Sequence, residues 1–139
     1  KIILHSSATP EGRDVSVETI REWHKQRGFN DIGYHFIVDL DGGIHNGRHV
    51  EVIGAHARGH NRDSIGVCYV GGTNKDLKPL DTRTAAQKKS LEIVICNLLD
   101  EYKDAKLYGH NEFSSKACPS FNVQEEYKEI IKHYERKED

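Results

Sequence analysis

The chain has no methionine, one tryptophan, three prolines and only three cysteines among its 139 residues. Three thiols cannot all pair with one another, which speaks against the disulfide framework that staples small secreted folds. No apolar run approaches the ~20 residues needed to cross a membrane, and no signal-peptide pattern opens the chain. Neither sign of charge prevails: 20 Lys and Arg stand against 22 Asp and Glu, a formal net charge of -2. There is thus no electrostatic case for a nucleic acid or another polyanion as partner. Repeats, low-complexity segments and interdomain linkers are also missing. Because the chain begins at Lys1 and holds no methionine, its native N-terminus is expected to have been removed or left out.

The composition is that of an ordinary soluble globular protein, 36% hydrophobic and 30% charged. Its length fits a single domain over residues 1–139, with a core large enough to fold alone, and a monomer is expected. Nine histidines are many for this length, which favours metal chemistry before any position is considered. Cys68 sits in an apolar strand-like run and Cys96 in a helical pattern, so both read as small buried hydrophobes. Cys118 lies in a polar loop, a poor place for an inert thiol.

Lys1 to His5 reads as a buried strand running into a Ser-Ser-Ala-Thr-Pro loop. Val17, Ile20 and Trp23 or His24 recur at helical spacing, with Ser16 as N-cap and Gly28 as the stop. Tyr34 to Asp39 reads as a strand, followed by an Asp41-Gly42-Gly43 turn and a short strand around Ile44. Ser64 to Gly72 is apolar on both faces, as a central strand should be. Thr84 and Gln87 form a capping box for the longest helix, whose buried stripe is Leu91, Val94, Ile95, Leu98 and Tyr102. Lys106 to Tyr108 is a brief strand. A last helix starts at Asn122, with Glu125 completing a second capping box; its apolar face is Val123, Tyr127, Ile130, Ile131 and Tyr134, and Glu135 to Asp139 should fray. Strands interleaved with about three helices predict an α/β fold around a central mixed sheet.

His5 and His110 share a context, since each ends a short strand and enters a loop. If those strands lie in one sheet, both imidazoles emerge at the rim where open α/β sheets place ligands. Cys118 follows His110 by eight positions, far enough for its loop to fold back. Imidazole nitrogen and thiolate sulfur are donors that zinc prefers, and three donors from distant segments leave the fourth position open, the pattern of a catalytic site. Lys116 alone reads as a solvated surface charge; two residues before a thiolate ligand, its ammonium can face an oxyanion. Tyr34 reads as a packing aromatic or as a rim residue with its hydroxyl free.

These residues lie in four ordered motifs: Leu4-His5-Ser6-Ser7-Ala8-Thr9, Ile32-Gly33-Tyr34-His35-Phe36-Ile37-Val38, Ser64 through Gly72, and Gly109-His110-Asn111-Glu112 with Lys116-Ala117-Cys118-Pro119. Together they resemble the zinc-dependent N-acetylmuramoyl-L-alanine amidases of the phage-lysozyme and peptidoglycan-recognition-protein type, over nearly the whole length. The resemblance implies that family's fold, with His5, His110 and Cys118 as zinc ligands and Tyr34 and Lys116 as catalytic residues. It also implies hydrolysis of the amide between N-acetylmuramic acid and L-alanine of peptidoglycan, and a site of action at the bacterial cell wall. His56, in Gly54-Ala55-His56-Ala57-Arg58-Gly59, resembles part of the family's substrate groove wall. A non-hydrolytic peptidoglycan-binding module is the alternative. A cysteine hydrolase with Cys118 as nucleophile and His110 as base leaves His5 and Tyr34 unexplained.

Overall fold

A computed structural model describes residues 1–137. The aliphatic opening run forms β1 (Ile2–Ser6), followed by β2 (Thr9–Pro10), α1 (Val17–Gln26), β3 (Phe36–Val38) and β4 (Ile44–Asn46). Then come β5 (Ile65–Tyr69), β6 (Gly72–Thr73), α2 (Ala85–Glu101), β7 (Leu107–Gly109), α3 (Val123–Glu126) and α4 (Lys128–Lys137). Five strands make one mixed sheet in the order β4-β3-β5-β1-β7. β5 and β7 flank β1 in parallel, β3 runs parallel to β5, and only β4 is antiparallel.

Strand side chains alternate between faces, and that alternation divides the core. Ile2, Leu4, Val38, Val67 and Tyr69 point to one face, where Leu91, Val94, Ile95, Leu98 and Leu99 of α2 cover them together with Val123 and Tyr127. On the other face Ile37 and Val70 pack with Val15, Ile20 and Ile32, backed by Trp23 of α1. His5 therefore belongs to the thinner, α1-covered side of the sheet, since Leu4 belongs to the other.

The caps read from the sequence set the helix starts. Ser16 accepts the Thr19 N–H at the head of α1, and Thr84 and Gln87 satisfy one another's backbone donors at the head of α2. Gln87 also ties α2 to the sheet: its fully buried amide donates to the carbonyls of Val70 (2.9 Å) and Val38 (3.4 Å).

Several expectations are corrected. The strand expected from Tyr34 begins at Phe36, because the His35 N–H already bonds the Gly66 carbonyl and Tyr34 lies in the preceding loop. The apolar run at Ser64–Gly72 stops pairing in the main sheet at Tyr69. Gly71 and Gly72 have φ values of 134° and 103°, and a Cβ on Gly72 would sit 2.3 Å from Ser6 Oγ, so the chain turns there and pairs Gly72–Thr73 with β2 instead. The last helix breaks at Tyr127 (φ -109°, ψ 20°) into α3 and α4. Asn122 caps α3 by accepting the Glu125 N–H. Helix α4 continues through Glu135 to Lys137, where fraying was expected; the remaining two residues of that expectation lie outside the described ones. Cys96 is half-buried, because it flanks the buried stripe of α2 and does not lie on it.

Candidate metal centre

Parallel pairing of β1 with β7 sets Leu4 opposite Gly109. The next residues therefore stand side by side, with ring centroids 4.5 Å apart: His110 just past the end of β7, and His5 still inside β1, one residue before the strand end at which it was expected. His110 opens a 3-10 turn whose Glu112 carboxylate accepts the Gly109 N–H at 2.7 Å. The chain then folds back through a tight turn in which the Ser120 N–H donates to the Ala117 carbonyl at 2.7 Å. Clamps from three directions hold that turn. Tyr69 donates its hydroxyl to the Pro119 carbonyl (2.7 Å), Ser120 Oγ donates to Gly72 (2.8 Å), and Asn111 Nδ2 donates to Phe121 (3.2 Å).

The turn delivers Cys118 to the histidines. Its Sγ lies 3.7 Å from His5 Nδ1, and one donor atom from each of His5, His110 and Cys118 lies within 4.8 Å of the others. Tetrahedral zinc with nitrogen at ~2.0 Å and sulfur at ~2.3 Å requires donors roughly 3.5 Å apart. The donor set and its spacing fit zinc, and the Ser6 N–H donating to Sγ at 3.1 Å suits a sulfur that carries negative charge.

Of the other residues singled out by sequence, Tyr34 packs its ring 5.1 Å from that of His5 and 5.3 Å from that of His24. The buried Cys68 thiol is among the groups that act on its phenol. Cys68 sits opposite His5 in the strand register, which is why the two share a face. Lys116 is exposed, and its charge bears on His5, His110 and Cys118. His56 is only 9% exposed and sits beneath His5, with its Nδ1 2.9 Å from His5 Nε2.

Burial dominates the electrostatics. It lowers the pKa of His5 well below the ordinary value, with His56 and His110 adding to the effect, and it lowers that of His110 together with Lys116. These imidazoles are therefore neutral, the form in which they ligate metals. Burial raises the Cys118 pKa against the Ser6 hydrogen bonds and the Lys116 charge. It also raises the Tyr34 phenol well above 10, with the Cys68 and Cys118 thiols next in order.

Two histidines away from the donor set make the fold acid-sensitive. Burial, then Arg27 and Arg48, push His24 down to about 4, and burial lowers His35. Each also accepts a backbone N–H at Nδ1, from Gly33 at 2.7 Å and from Gly66 at 3.0 Å, so a proton there would face a donor. The folded pKa lies below the unfolded 6.5, so the unfolded chain binds more protons between the two values. For His24 stability is expected to be full above pH 6.5 and to fall toward about pH 4, by up to about 1.4 kcal/mol per pH unit, with His35 acting in the same direction. Urea melts stepped through this window check it, and a flat profile contradicts it.

Sequence reasoning missed the partners behind the donors: His56 against His5, and Ser64 against His56. One signal was present in Gly66, a glycine inside an apolar strand, which marks a close approach. A Cβ there would sit 2.6 Å from His56 Cγ.

Comparison with known proteins finds relatives in sequence and in fold. Residues 1–121 match the family described as N-acetylmuramoyl-L-alanine amidase. The endolysin of Escherichia phage T7 is 45% identical over 123 residues, covering 88% of this chain and 82% of the endolysin. Among solved structures, the N-acetylmuramoyl-L-alanine amidase LysC from Clostridium intestinale superposes with a TM-score of 0.81 at 31% identity, over 94% of this chain and 83% of that one. Drosophila PGRP-LB superposes with a TM-score of 0.75 at 29% identity, over 91% and 77%.

Proposed function

Because this chain belongs to the N-acetylmuramoyl-L-alanine amidase family, we propose that it is a zinc-dependent peptidoglycan hydrolase, with the ion held by His5, His110 and Cys118. Peptidoglycan amidase activity follows from family membership and from the phage endolysin relatives. The bond cut is the amide joining the lactyl group of N-acetylmuramic acid to L-alanine of the stem peptide, and the place of action is the cell wall. The observation that supports zinc most is the convergence of two imidazoles and one thiol, from both ends of the chain, within 4.8 Å.

Zinc, when bound, supplies Lewis acidity for the scissile carbonyl and brings the pKa of water down to about 7. The protein's own groups then divide the remaining work. Lys116, exposed and two residues before Cys118, would offer its ammonium to the oxyanion that forms on the substrate carbonyl. Tyr34 keeps its proton, since burial raises its pKa well above 10. As a neutral phenol it would serve as a hydrogen-bond donor that orients the attacking water. The buried face of β1 keeps bulk water away from one side of His5, which is 2% exposed.

Chelation joined to product analysis tests the reading. Treatment with a strong zinc chelator is expected to abolish release of stem peptide from defined muropeptides, and added zinc to restore it. Mass spectrometry of the products should show a peptide with a free L-alanine amine. Activity indifferent to the chelator would point to a thiol hydrolase. Bound zinc without peptide release would point to a binding module.

A further inference from the structure

Behind the donor set runs a line of hydrogen bonds whose polarity can be assigned from its far end. Ser64 Oγ lies 2.6 Å from the His60 carbonyl oxygen, and a carbonyl can only accept. The single hydroxyl proton of Ser64 is therefore committed there. At 3.1 Å from the same Oγ stands His56 Nε2, which must then be the donor. A neutral imidazole carries one N–H, so His56 Nδ1 is bare. His5 Nε2, 2.9 Å away, must donate to it. This leaves His5 Nδ1 bare, facing Cys118 Sγ at 3.7 Å. The opposite polarity would turn the Ser64 proton toward His56, leaving Ser64 Oγ and the His60 carbonyl oxygen 2.6 Å apart with no proton between them, and would turn an N–H of His5 toward the donor cluster.

The line is built into the fold. His56 lies in a slot that side chains would fill: a Cβ on Gly66 would come 2.6 Å from its Cγ, and a Cβ on Gly54 2.7 Å from its Cδ2. Its backbone is pinned as well, because the N–H groups of His56 and Ala57 both donate to Asn61 Oδ1 at 2.9 Å. His60, the end of the line, donates its N–H to the Ala57 carbonyl at 2.9 Å.

We infer that His56 and Ser64 are positioning residues that hold His5 as its Nε2–H tautomer, leaving Nδ1 bare for the metal. The metal part of this rests on the reading of His5 as a zinc ligand. Ligating histidines usually anchor their second nitrogen on a carboxylate, a carbonyl or water. Here the anchor is a second neutral imidazole, so no acidic residue is needed behind the site. His56 thus serves the metal ligand through both ring nitrogens and has none left for a substrate.

Nitrogen-15 NMR of the histidine side chains, together with zinc competition titrations, tests this on the full chain. Metal-free wild-type protein is expected to show His5 protonated at Nε2. Ser64→Ala releases the polarity, so His5 should populate both tautomers. His56→Leu removes the acceptor and should weaken zinc binding by about 10- to 100-fold. His56→Asn places a carbonyl oxygen where Nδ1 stood and should restore both the tautomer and most of the affinity. Circular dichroism confirms that each variant is folded. A metal-free wild type with His5 protonated at Nδ1 overturns the inference, as does a folded His56→Leu that binds zinc like wild type. If no variant, wild type included, binds zinc, the zinc reading fails while the tautomer measurement still decides the role of His56 and Ser64.

Discussion

Cys118→Ala is expected to lose both bound zinc and turnover while keeping its fold. Cys118 is the only sulfur in the donor set, and its loop is held by contacts that the substitution does not touch: Tyr69 to Pro119, Ser120 to Gly72 and Asn111 to Phe121. The change removes the third donor and leaves two histidines, too few to hold a catalytic zinc. A Lewis acid contributes several kcal/mol to the transition state, and each ~1.36 kcal/mol is a factor of ten. Activity should therefore drop on the order of a thousandfold or more. Metal analysis of the purified variant, beside release of stem peptide from cell wall, measures both losses. A variant that keeps stoichiometric zinc removes Cys118 from the site.

Lys116→Ala should separate chemistry from metal binding. The side chain is exposed and two residues from Cys118, so its truncation opens no cavity and removes no ligand. Its charge bears on all three donors, and the proposed mechanism gives it the negative charge that develops on the substrate. Losing one such group costs on the order of a hundredfold or more in kcat, with KM little changed, and zinc content should equal that of wild type. Lys116→Arg keeps the charge with a different geometry and should recover part of the rate. Full activity in Lys116→Ala would take lysine out of the mechanism.

The parts of this protein legible in its sequence are those set by local chemistry. The apolar run at β1, the Thr84–Gln87 box of α2 and the stripe from Leu91 to Leu98 are periodic patterns with caps, and each stands where its pattern put it. The donor trio was legible for a related reason: histidine or cysteine at a strand end or in a loop is a chemical anomaly that shows without knowing its neighbours. What could not be read was pairing at a distance. β2 and β6 hold two residues each, one of them Pro10, and exist only because the Gly71–Gly72 turn brings them together. The turn of chain at Tyr127 carries no helix breaker in the sequence, and the contacts Tyr127 makes there, with Phe121 and Arg83, come from outside both helices. Tyr34 and His56 were recognised as residues of interest, but both pack against His5, far along the chain from either, and only the fold shows it.

The adjacency of β1 and β7 has one more effect. His5 and His110 are neighbours only because a strand from the start of the chain lies beside one formed after residue 106, and Cys118 comes later still. No fragment that lacks either end can hold the three donors together. A ligand that binds only this assembled arrangement shifts the equilibrium of the entire sheet by mass action, by RT ln(1 + [L]/Kd). Heat tolerance of the protein should then climb with free metal concentration, as one cooperative transition shared by every strand of the sheet.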